Sequence, residues 1–199
     1  MLVAGAKRGP AYVVPTAAAR QGPEEAVAHA KAWFRPLGLE LDELHVLKAA
    51  DANSKELAAL ARAGGFFYLV GGDPGLVAQV LRRSRVWTAI FEAWLDGASL
   101  AGSSAGAMVL CDPMVDQRGG AFTLGLGLLS GLAVVPHHDT WSEEKVHRTQ
   151  QLAPKGLVVA GVDERTALVR NAAGGWTAEG TGAVSIWRDG DDVGLDALP

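Results

Sequence analysis

The 199-residue sequence has a single cysteine, Cys111, so it cannot form an internal disulfide. It has no surplus of positive charge: 18 basic against 22 acidic residues give a net charge of −4, which disfavours binding to nucleic acid. The longest uncharged run, residues 119–136, carries five glycines and ends in proline, so it does not resemble a membrane helix. Since no leader pattern opens the chain, we expect a cytoplasmic protein with neither nucleic acid nor membrane as a partner.

The composition is that of a protein with a packed core. Hydrophobic residues make up 49% of the sequence and charged residues 20%, which argues against disorder, coiled coil and collagen. The length is a little above that of a typical domain. We therefore predict a single domain over residues 1–199.

Strand and helix patterns alternate along the chain. Residues 66–70 form a continuous apolar run between glycine pairs, typical of a central strand in a parallel sheet that is covered on both faces. Further strands are predicted at residues 2–4, 11–14, 44–47, 99–101, 132–135, 157–161, 166–169, 176–178 and 183–187. Helices are predicted from Pro23 to about Pro36, from Asn53 or Ser54 to about Ala63, and over residues 74–83, 86–96, 105–110 and 142–152. The alternation favours an α/β sandwich with a mostly parallel sheet.

The sharpest local signal is the sequence Gly-Ser-Ser-Ala-Gly at residues 102–106, between a predicted strand and a predicted helix. It fits the G-x-S-x-G pattern of a nucleophile elbow, in which flanking glycines let the backbone pack tightly while the Ser104 hydroxyl projects. The following helix would direct free amides toward an oxyanion at Ser104. The competing interpretation is that Ser103 or Ser104 only caps the helix.

A second signal is Gly71-Gly72-Asp73-Pro74, at the carboxyl end of the predicted central strand. This is the edge at which open α/β sheets bind ligands. The backbone amides of Gly72 and Ala105 are candidate donors of an oxyanion hole, and Asp73 is a candidate substrate contact. An ordinary turn in which Asp73 caps the next helix explains the same residues.

A serine becomes a good nucleophile when a neutral imidazole takes its proton. His137 and His138 follow a predicted strand, and only one should face the serine because adjacent strand residues point to opposite sides. Carboxylates that could orient the imidazole lie in two places, Asp163 with Glu164 and Asp112 with Asp116. In the polar helix, His147 and Arg148 are either solvated or grip a substrate carboxylate.

Together these motifs resemble the peptidase E and cyanophycinase family of serine peptidases, which have a glutamine-amidotransferase-like fold. The resemblance covers nearly the whole chain. It rests on the joint order of Val13-Val14-Pro15-Thr16-Ala17, residues 66–67 and 71–73, 102–107, 126–129, Pro136-His137, residues 161–168, and the closing 175–184. It implies a three-layer sandwich in which Ser104 is the nucleophile, His137 the general base and Glu164 the orienting acid. Asp116 is the alternative acid.

The chain departs from these relatives after His137, where residues 138–143 replace a phenylalanine and an arginine-rich stretch. Relatives that cleave after an N-terminal aspartate need a cation, for which Arg148 and His147 are the candidates, and His138 is a further candidate substrate contact. We expect a serine peptidase, without metal or cofactor and in homodimeric form, that cleaves dipeptides, aspartyl ones among them, or chain-end residues. The alternatives are an esterase or amidohydrolase with the same triad and a non-catalytic homologue that binds a small molecule.

Overall fold

The computed structural model describes residues 8–116, 118 and 120–199. The chain forms two compact units, Met1–Ala107 and Met108–Pro199. The strand expected at residues 2–4 lies outside the described residues, and the single-domain expectation stays a prediction. None of the helices in the described part of the chain has the length and apolar character that a membrane span needs.

The first unit alternates strands and helices around one sheet. In chain order its elements are β1 (Ala11–Val14), α1 (Pro23–Phe34), β2 (Leu41–Glu43), α2 (Ala49–Ala52), α3 (Lys55–Ala63), β3 (Phe66–Leu69), α4 (Pro74–Leu81), α5 (Arg85–Leu95), β4 (Ser99–Gly102) and α6 (Ala105–Val109), which continues past the end of the unit. Short 3-10 helices lie at Thr16–Ala18 and Arg35–Leu37. The four strands form a parallel sheet in the order β2-β1-β3-β4.

The two inner strands of this sheet are buried on both faces. Val13 and Val14 in β1, and Phe66, Phe67 and Leu69 in β3, are each at most 2% exposed. Because successive strand residues point to opposite faces, the burial of neighbours such as Phe66 and Phe67 means that both faces are covered. The predicted central strand, the α/β class and the mostly parallel sheet are confirmed.

Helix starts around the sheet are fixed by side-chain caps. Ser54, Asp73 and Ser84 each accept a hydrogen bond from the backbone N–H three residues on, at the start of α3, α4 and α5. Each bond satisfies one of the N–H groups that a first helical turn leaves free. Pro23 and Pro74 occupy the first helical positions of α1 and α4, where a missing N–H costs nothing.

One predicted strand in this unit is wrong. β2 covers Leu41–Glu43, whereas residues 44–47 are irregular. Leu44 donates its N–H to β1 at 2.9 Å, and the Val46 carbonyl accepts a 2.7 Å hydrogen bond from Thr16. Leu44 and Val46 are fully buried. Their alternation with less buried neighbours imitates a strand pattern, but isolated hydrogen bonds replace the continuous ladder.

The second unit contains a mixed sheet and several short ladders. In chain order its elements are β5 (Cys111–Asp112), β6 (Met114–Val115), β7 (Phe122–Thr123), β8 (Leu129–Ser130), β9 (Leu132–Pro136), α7 (Glu143–Leu152), β10 (Val158–Val162), β11 (Thr166–Arg170), β12 (Trp176–Gly180), β13 (Val184–Arg188) and β14 (Asp191–Val193), with 3-10 helices at His138–Thr140 and Leu195–Ala197. The main sheet has the order β14-β13-β10-β9, in which only β9 and β10 are parallel. β5 pairs with β8, β6 with β7 and β11 with β12.

A buried cluster holds the second unit together. Its members are Met108, Val115, Ala133, Val135, Leu157, Val159 and Trp187. Trp141, Val146 and Ala153, at and beside α7, pack against this cluster, so α7 covers one face of the mixed sheet. The strands and the helix that the sequence predicts beyond residue 131 are confirmed to within two residues at each end.

Candidate active site

Ser104 lies in a tight turn between β4 and α6. β4 ends at Gly102 and α6 begins at Ala105, so Ser103 and Ser104 alone connect them. Ser104 has a φ of +50°, a left-handed conformation that costs a non-glycine residue about 1–3 kcal/mol. The Ser103 N–H donates to the Leu69 carbonyl at 3.1 Å, which fixes the turn on β3. The backbone therefore has the strained strand-to-helix form that a nucleophile elbow requires.

The two glycines of the motif are needed for close packing. A Cβ atom on Gly102 would lie 2.5 Å from the Gly106 carbonyl carbon. A Cβ atom on Gly106 would overlap the Leu69 carbonyl oxygen. Side chains at either position would therefore force α6 away from β3, and Ser104 with it.

Glycines also line the end of β3. A Cβ atom on Gly71 would lie 3.3 Å from the Ser104 Cβ and 3.8 Å from its Oγ, so the missing side chain leaves one flank of the hydroxyl open. Gly72 has a φ of +139°, and a Cβ there would overlap the Ala17 carbonyl. Only glycine fits this position.

The two predicted oxyanion donors are the amides of Gly72 and Ala105. Ala105 is the first residue of α6, so its N–H takes no part in the helix's own hydrogen bonds. Gly72 ends the turn that leads from β3 into α4. Whether the two amides share one oxyanion stays a prediction.

The neighbouring serine is engaged elsewhere. The Tyr68 hydroxyl donates a 2.8 Å hydrogen bond to Ser103 Oγ. The Tyr68 ring in turn packs edge-on against Phe34, with ring centroids 5.0 Å apart. Ser103 thus contributes to holding the turn, a role that the sequence did not indicate beyond a possible helix cap.

Two histidines face two carboxylates at one edge of the second unit. β9 and β10 are parallel, with Pro136 in register with Val162, so the chain segments that follow them leave the same edge. His137 Nδ1 lies 3.5 Å from Glu164 Oε1, and His138 Nδ1 lies 3.5 Å from Asp163 Oδ1. We call His137–Glu164 the outer pair and His138–Asp163 the inner pair.

Exposure separates these pairs. The outer-pair side chains are 47% and 54% exposed, against 17% and 19% for the inner pair. The outer imidazole is therefore open to a substrate, whereas the inner one is largely enclosed. The sequence analysis named His138 and Asp163 but did not predict that their side chains would meet. The signal was present as two doublets, His-His and Asp-Glu, directly after neighbouring parallel strands.

Hydrogen bonds tie the two segments together. His137 is left-handed, with a φ of +51°, and its carbonyl accepts from the Thr140 N–H at 2.9 Å and the Thr140 hydroxyl at 2.7 Å. Asp139 Oδ1 accepts a 3.0 Å hydrogen bond from the Glu164 N–H. The base and acid candidates thus sit on segments that are bonded to each other.

Asp116, the alternative acid, already has a cationic partner. Its carboxylate accepts hydrogen bonds of 2.8–3.0 Å from the Arg118 guanidinium and backbone N–H. These bonds hold the pKa of Asp116 below its usual value. The geometry therefore favours Glu164 as the acid that orients an imidazole.

The remaining candidates occupy ordinary settings. Asp73 caps α4 through the Leu76 N–H at 3.1 Å. His147 Nε2 lies 2.9 Å from the side-chain nitrogen of Gln151 on the same helix. Arg148 is exposed and makes no ion pair within the residues that the structure describes.

A cysteine thiol and a metal centre are the other reactive groups that a site within the described residues could use. Cys111 is fully buried, and burial raises the pKa of its thiol to about 12. Across residues 8–116, 118 and 120–199, no three His, Cys, Asp or Glu side chains come together in a way that could hold a metal ion.

Comparison with known sequences identifies relatives along most of the chain. The sequence model of peptidase family S51 matches residues 3–174. Cyanophycinases from Synechococcus elongatus and Thermosynechococcus vestitus are each 31% identical over 167 residues, which cover 77% of this chain and 51% of the relative. The chain thus spans about half the length of these curated relatives.

Comparison with solved structures gives the same fold. The crystal structure of a peptidase from an acI-B1 actinobacterium matches with a TM-score of 0.80 and 30% identity, covering 92% of this chain and 79% of that one. A protein proposed to be a Peptidase E, from Listeria monocytogenes EGD-e, matches with a TM-score of 0.61 and 18% identity, covering 93% and 88%. At that identity the second match shows the fold alone.

Proposed function

The chain belongs to peptidase family S51, and on that premise we propose that it is a serine peptidase that hydrolyses small peptides through Ser104, His137 and Glu164. The observation that carries the proposal is the left-handed Ser104 in a turn that glycines pack tightly against β3. Strain of this kind concentrates where a side chain must project for chemistry.

In the proposed reaction, Ser104 Oγ attacks the carbonyl carbon of the peptide bond while His137 Nε2 takes the hydroxyl proton. The amides of Gly72 and Ala105 stabilise the oxyanion that forms. The imidazolium then gives its proton to the leaving amine, and an acyl-enzyme remains on Ser104. Water, deprotonated by His137, attacks this ester, releases the acid product and restores the serine.

Glu164 is assigned to hold the imidazole in the useful tautomer. Its carboxylate faces Nδ1 of His137, which places the N–H there and leaves the Nε2 lone pair free to accept the serine proton. His137 is chosen over His138 because its ring is accessible. Glu164 is chosen over Asp116 because Arg118 already occupies the Asp116 carboxylate.

For the substrate we propose dipeptides, including those with an N-terminal aspartate, or residues at chain ends. Arg148 supports this proposal because it is exposed on α7 without an ion pair within the described residues, so its guanidinium is available to a substrate carboxylate. His147 neighbours Arg148 on the same helix and is the second candidate contact.

The test compares wild type, Ser104→Ala and the matched control Ser103→Ala on a library of dipeptides and short peptides read out by mass spectrometry. Ser104→Ala should lower turnover by about a thousandfold or more, because losing one triad member disables the unit. Ser103→Ala removes the acceptor of the Tyr68 hydrogen bond but keeps the backbone bond from Ser103 to the Leu69 carbonyl that fixes the turn, so most activity should remain.

A fluorophosphonate probe adds a direct test of the nucleophile. It should label Ser104 in the wild type and leave the Ser104→Ala variant unlabelled. Hydrolysis of esters but of no peptide would reassign the chain as an esterase. An unlabelled wild type that turns over neither substrate class would contradict the proposal and leave a non-catalytic homologue.

A further inference from the structure

We propose that the inner pair, His138–Asp163, positions the outer pair, His137–Glu164. The two imidazoles then have different roles, His137 as the base and His138 as a positioning residue. The inference rests on the proposed function insofar as His137 is the base and Glu164 its acid. In place of a substrate contact, His138 then acts from inside the unit, as a positioning residue.

The ring of His138 is fixed by its surroundings. It lies over Gly161 of β10 so closely that a Cβ atom there would come within 2.6 Å of the His138 Cγ. On another side it packs against Trp187 of β13, with ring centroids 5.0 Å apart. A ring held by two strands of the mixed sheet cannot move without disturbing that sheet.

The imidazole of His138 faces the carboxylate of Asp163. His138 Nε2 is buried and has no hydrogen-bond partner within the described part of the chain. The space around the ring is lined mainly by apolar side chains, with Thr149 and Gln150 as its polar members, and neither of these is bonded to Nε2. An N–H on Nε2 would have no acceptor there, which is costly in an apolar setting. The ring's N–H therefore belongs on Nδ1, directed at the Asp163 carboxylate.

Asp163 is anchored in turn. Its Oδ2 accepts a 2.9 Å hydrogen bond from the Ala183 N–H, and its own N–H donates to the Ala183 carbonyl at 3.1 Å. Ala183 directly precedes β13. Both members of the inner pair are thus fixed to the sheet, one by packing and the other by hydrogen bonds.

The outer pair depends on this anchor through the backbone. His137 shares a peptide unit with His138, and Glu164 shares one with Asp163. The left-handed conformation of His137 is unfavourable for a residue with a side chain, so neighbours must hold it. Thr140 holds the carbonyl of His137, and the buried ring of His138 holds the next residue.

Two further charged residues lie on the same two segments as the pairs. Asp139 follows the histidines and accepts from the Glu164 N–H, and Arg165 follows the acids with a left-handed φ of +55°. These groups stay unchanged when His138 is replaced. A change at His137 in a His138 variant therefore reports loss of the inner pair.

The experiment uses His138→Phe, which keeps a ring of similar size without the Nδ1 donor, and His138→Asn, which restores a donor near that position. Glu164→Gln is the reference for a lost outer pair. His45→Phe is the control, since His45 is exposed in the first unit and its Nδ1 lies 2.6 Å from Glu43 Oε1. The readouts are kcat and KM on a cleaved dipeptide and the tautomer of His137, from ¹⁵N NMR of the substrate-free protein.

His138→Phe should lower kcat by about tenfold to a hundredfold with little change in KM, the loss expected when a catalytic group is misplaced by about 1 Å. The share of His137 with its N–H on Nδ1 should fall toward the Glu164→Gln value, and His138→Asn should restore both quantities in part. His45→Phe should change neither.

The proposal is overturned if His138→Phe leaves the His137 tautomer at its wild-type value while Glu164→Gln changes it. If the wild type cleaves no peptide, the proposed function fails, but the tautomer still decides whether the inner pair positions His137. Should His138→Phe not fold, Asp163→Asn removes the same charge-assisted contact at constant size, and an unchanged tautomer there would equally refute positioning.

Discussion

Replacing Glu164 by glutamine keeps the size of the side chain and removes its charge, so it isolates what the carboxylate does for His137. The two groups are 3.5 Å apart. At that distance a full charge pair is worth about 1 kcal/mol in water and about 5 kcal/mol at the effective dielectric constant of about 20 that suits protein surfaces. This is the stabilisation that an imidazolium on His137 would lose in the reaction.

The exposure of the pair decides between these limits. Both side chains are about half exposed, so water screens the interaction and the lower half of the range applies. Each 1.4 kcal/mol is a tenfold change in rate, so Glu164→Gln should lower kcat/KM by about tenfold to a hundredfold. Unfolding free energy should change by less than about 1 kcal/mol, because an exposed ion pair contributes little to stability.

Asp116→Asn is the matched comparison. It also exchanges a carboxylate for an amide, but at a group whose partner is Arg118, itself 85% exposed. Activity should fall by less than about threefold, because only a surface contact is weakened. The assay is steady-state hydrolysis of one dipeptide by three proteins, with thermal unfolding as the check on folding. A larger loss in Asp116→Asn would move the acid to Asp116, and small losses in both would refute the carboxylate assignment altogether.

Three further outcomes are expected. Gly106→Ala should lower the unfolding free energy by about 1–3 kcal/mol, because its Cβ would overlap the Leu69 carbonyl. Gly194→Ala is the control: its Cβ would lie 4.0 Å from the Asp196 side chain, so its thermal melt should match that of the wild type. Iodoacetamide at pH 8 should leave Cys111 unmodified in the folded protein and alkylate it after denaturation, because burial raises the pKa of the thiol to about 12; rapid inactivation traced to Cys111 by peptide mapping would contradict this. Arg148→Ala should lower kcat/KM for aspartyl dipeptides, by an amount equivalent to about 1.5–3 kcal/mol of activation free energy, and leave kcat/KM for neutral dipeptides unchanged. An equal loss for aspartyl and neutral dipeptides would show that Arg148 does not recognise the substrate carboxylate.

The sequence predicted those parts of the fold that depend mainly on the residue types within one short segment. The apolar run at residues 66–70, bounded by glycine pairs, favoured a central strand, and β3 lies there. The motif at residues 102–106 predicted a tight turn from which Ser104 projects, with a helix cap as the alternative, and Ser104 lies in a tight turn with a left-handed backbone. The strand predicted at residues 44–47 is wrong because an alternating pattern indicates which residues are buried. It does not indicate whether a neighbouring strand still pairs with the segment.

The family resemblance predicted the pairing of His137 with Glu164, and the structure brings these two side chains together. It did not predict the pairing of His138 with Asp163, because that depends on the register of β9 with β10, which no local pattern encodes. Once Pro136 is known to face Val162, the two doublets that follow must meet. Contacts between side chains far apart in the chain, such as Tyr68 with Ser103, leave no trace in either segment alone.

Because Gly71 has no side chain, access to the Ser104 hydroxyl could be blocked and restored by reversible chemistry at residue 71. A Cβ there would stand 3.3 Å from that of Ser104, so a small side chain needs only a shift of a few tenths of an ångström. A cysteine placed at residue 71 would carry its sulfur on the open flank of the hydroxyl, where a disulfide-forming reagent could cap it and a reductant could remove the cap. Cys111, enclosed and with its high pKa, would not compete for the reagent. The absence of a side chain at residue 71 leaves the hydroxyl accessible, and it also makes this residue the site at which access could be blocked reversibly.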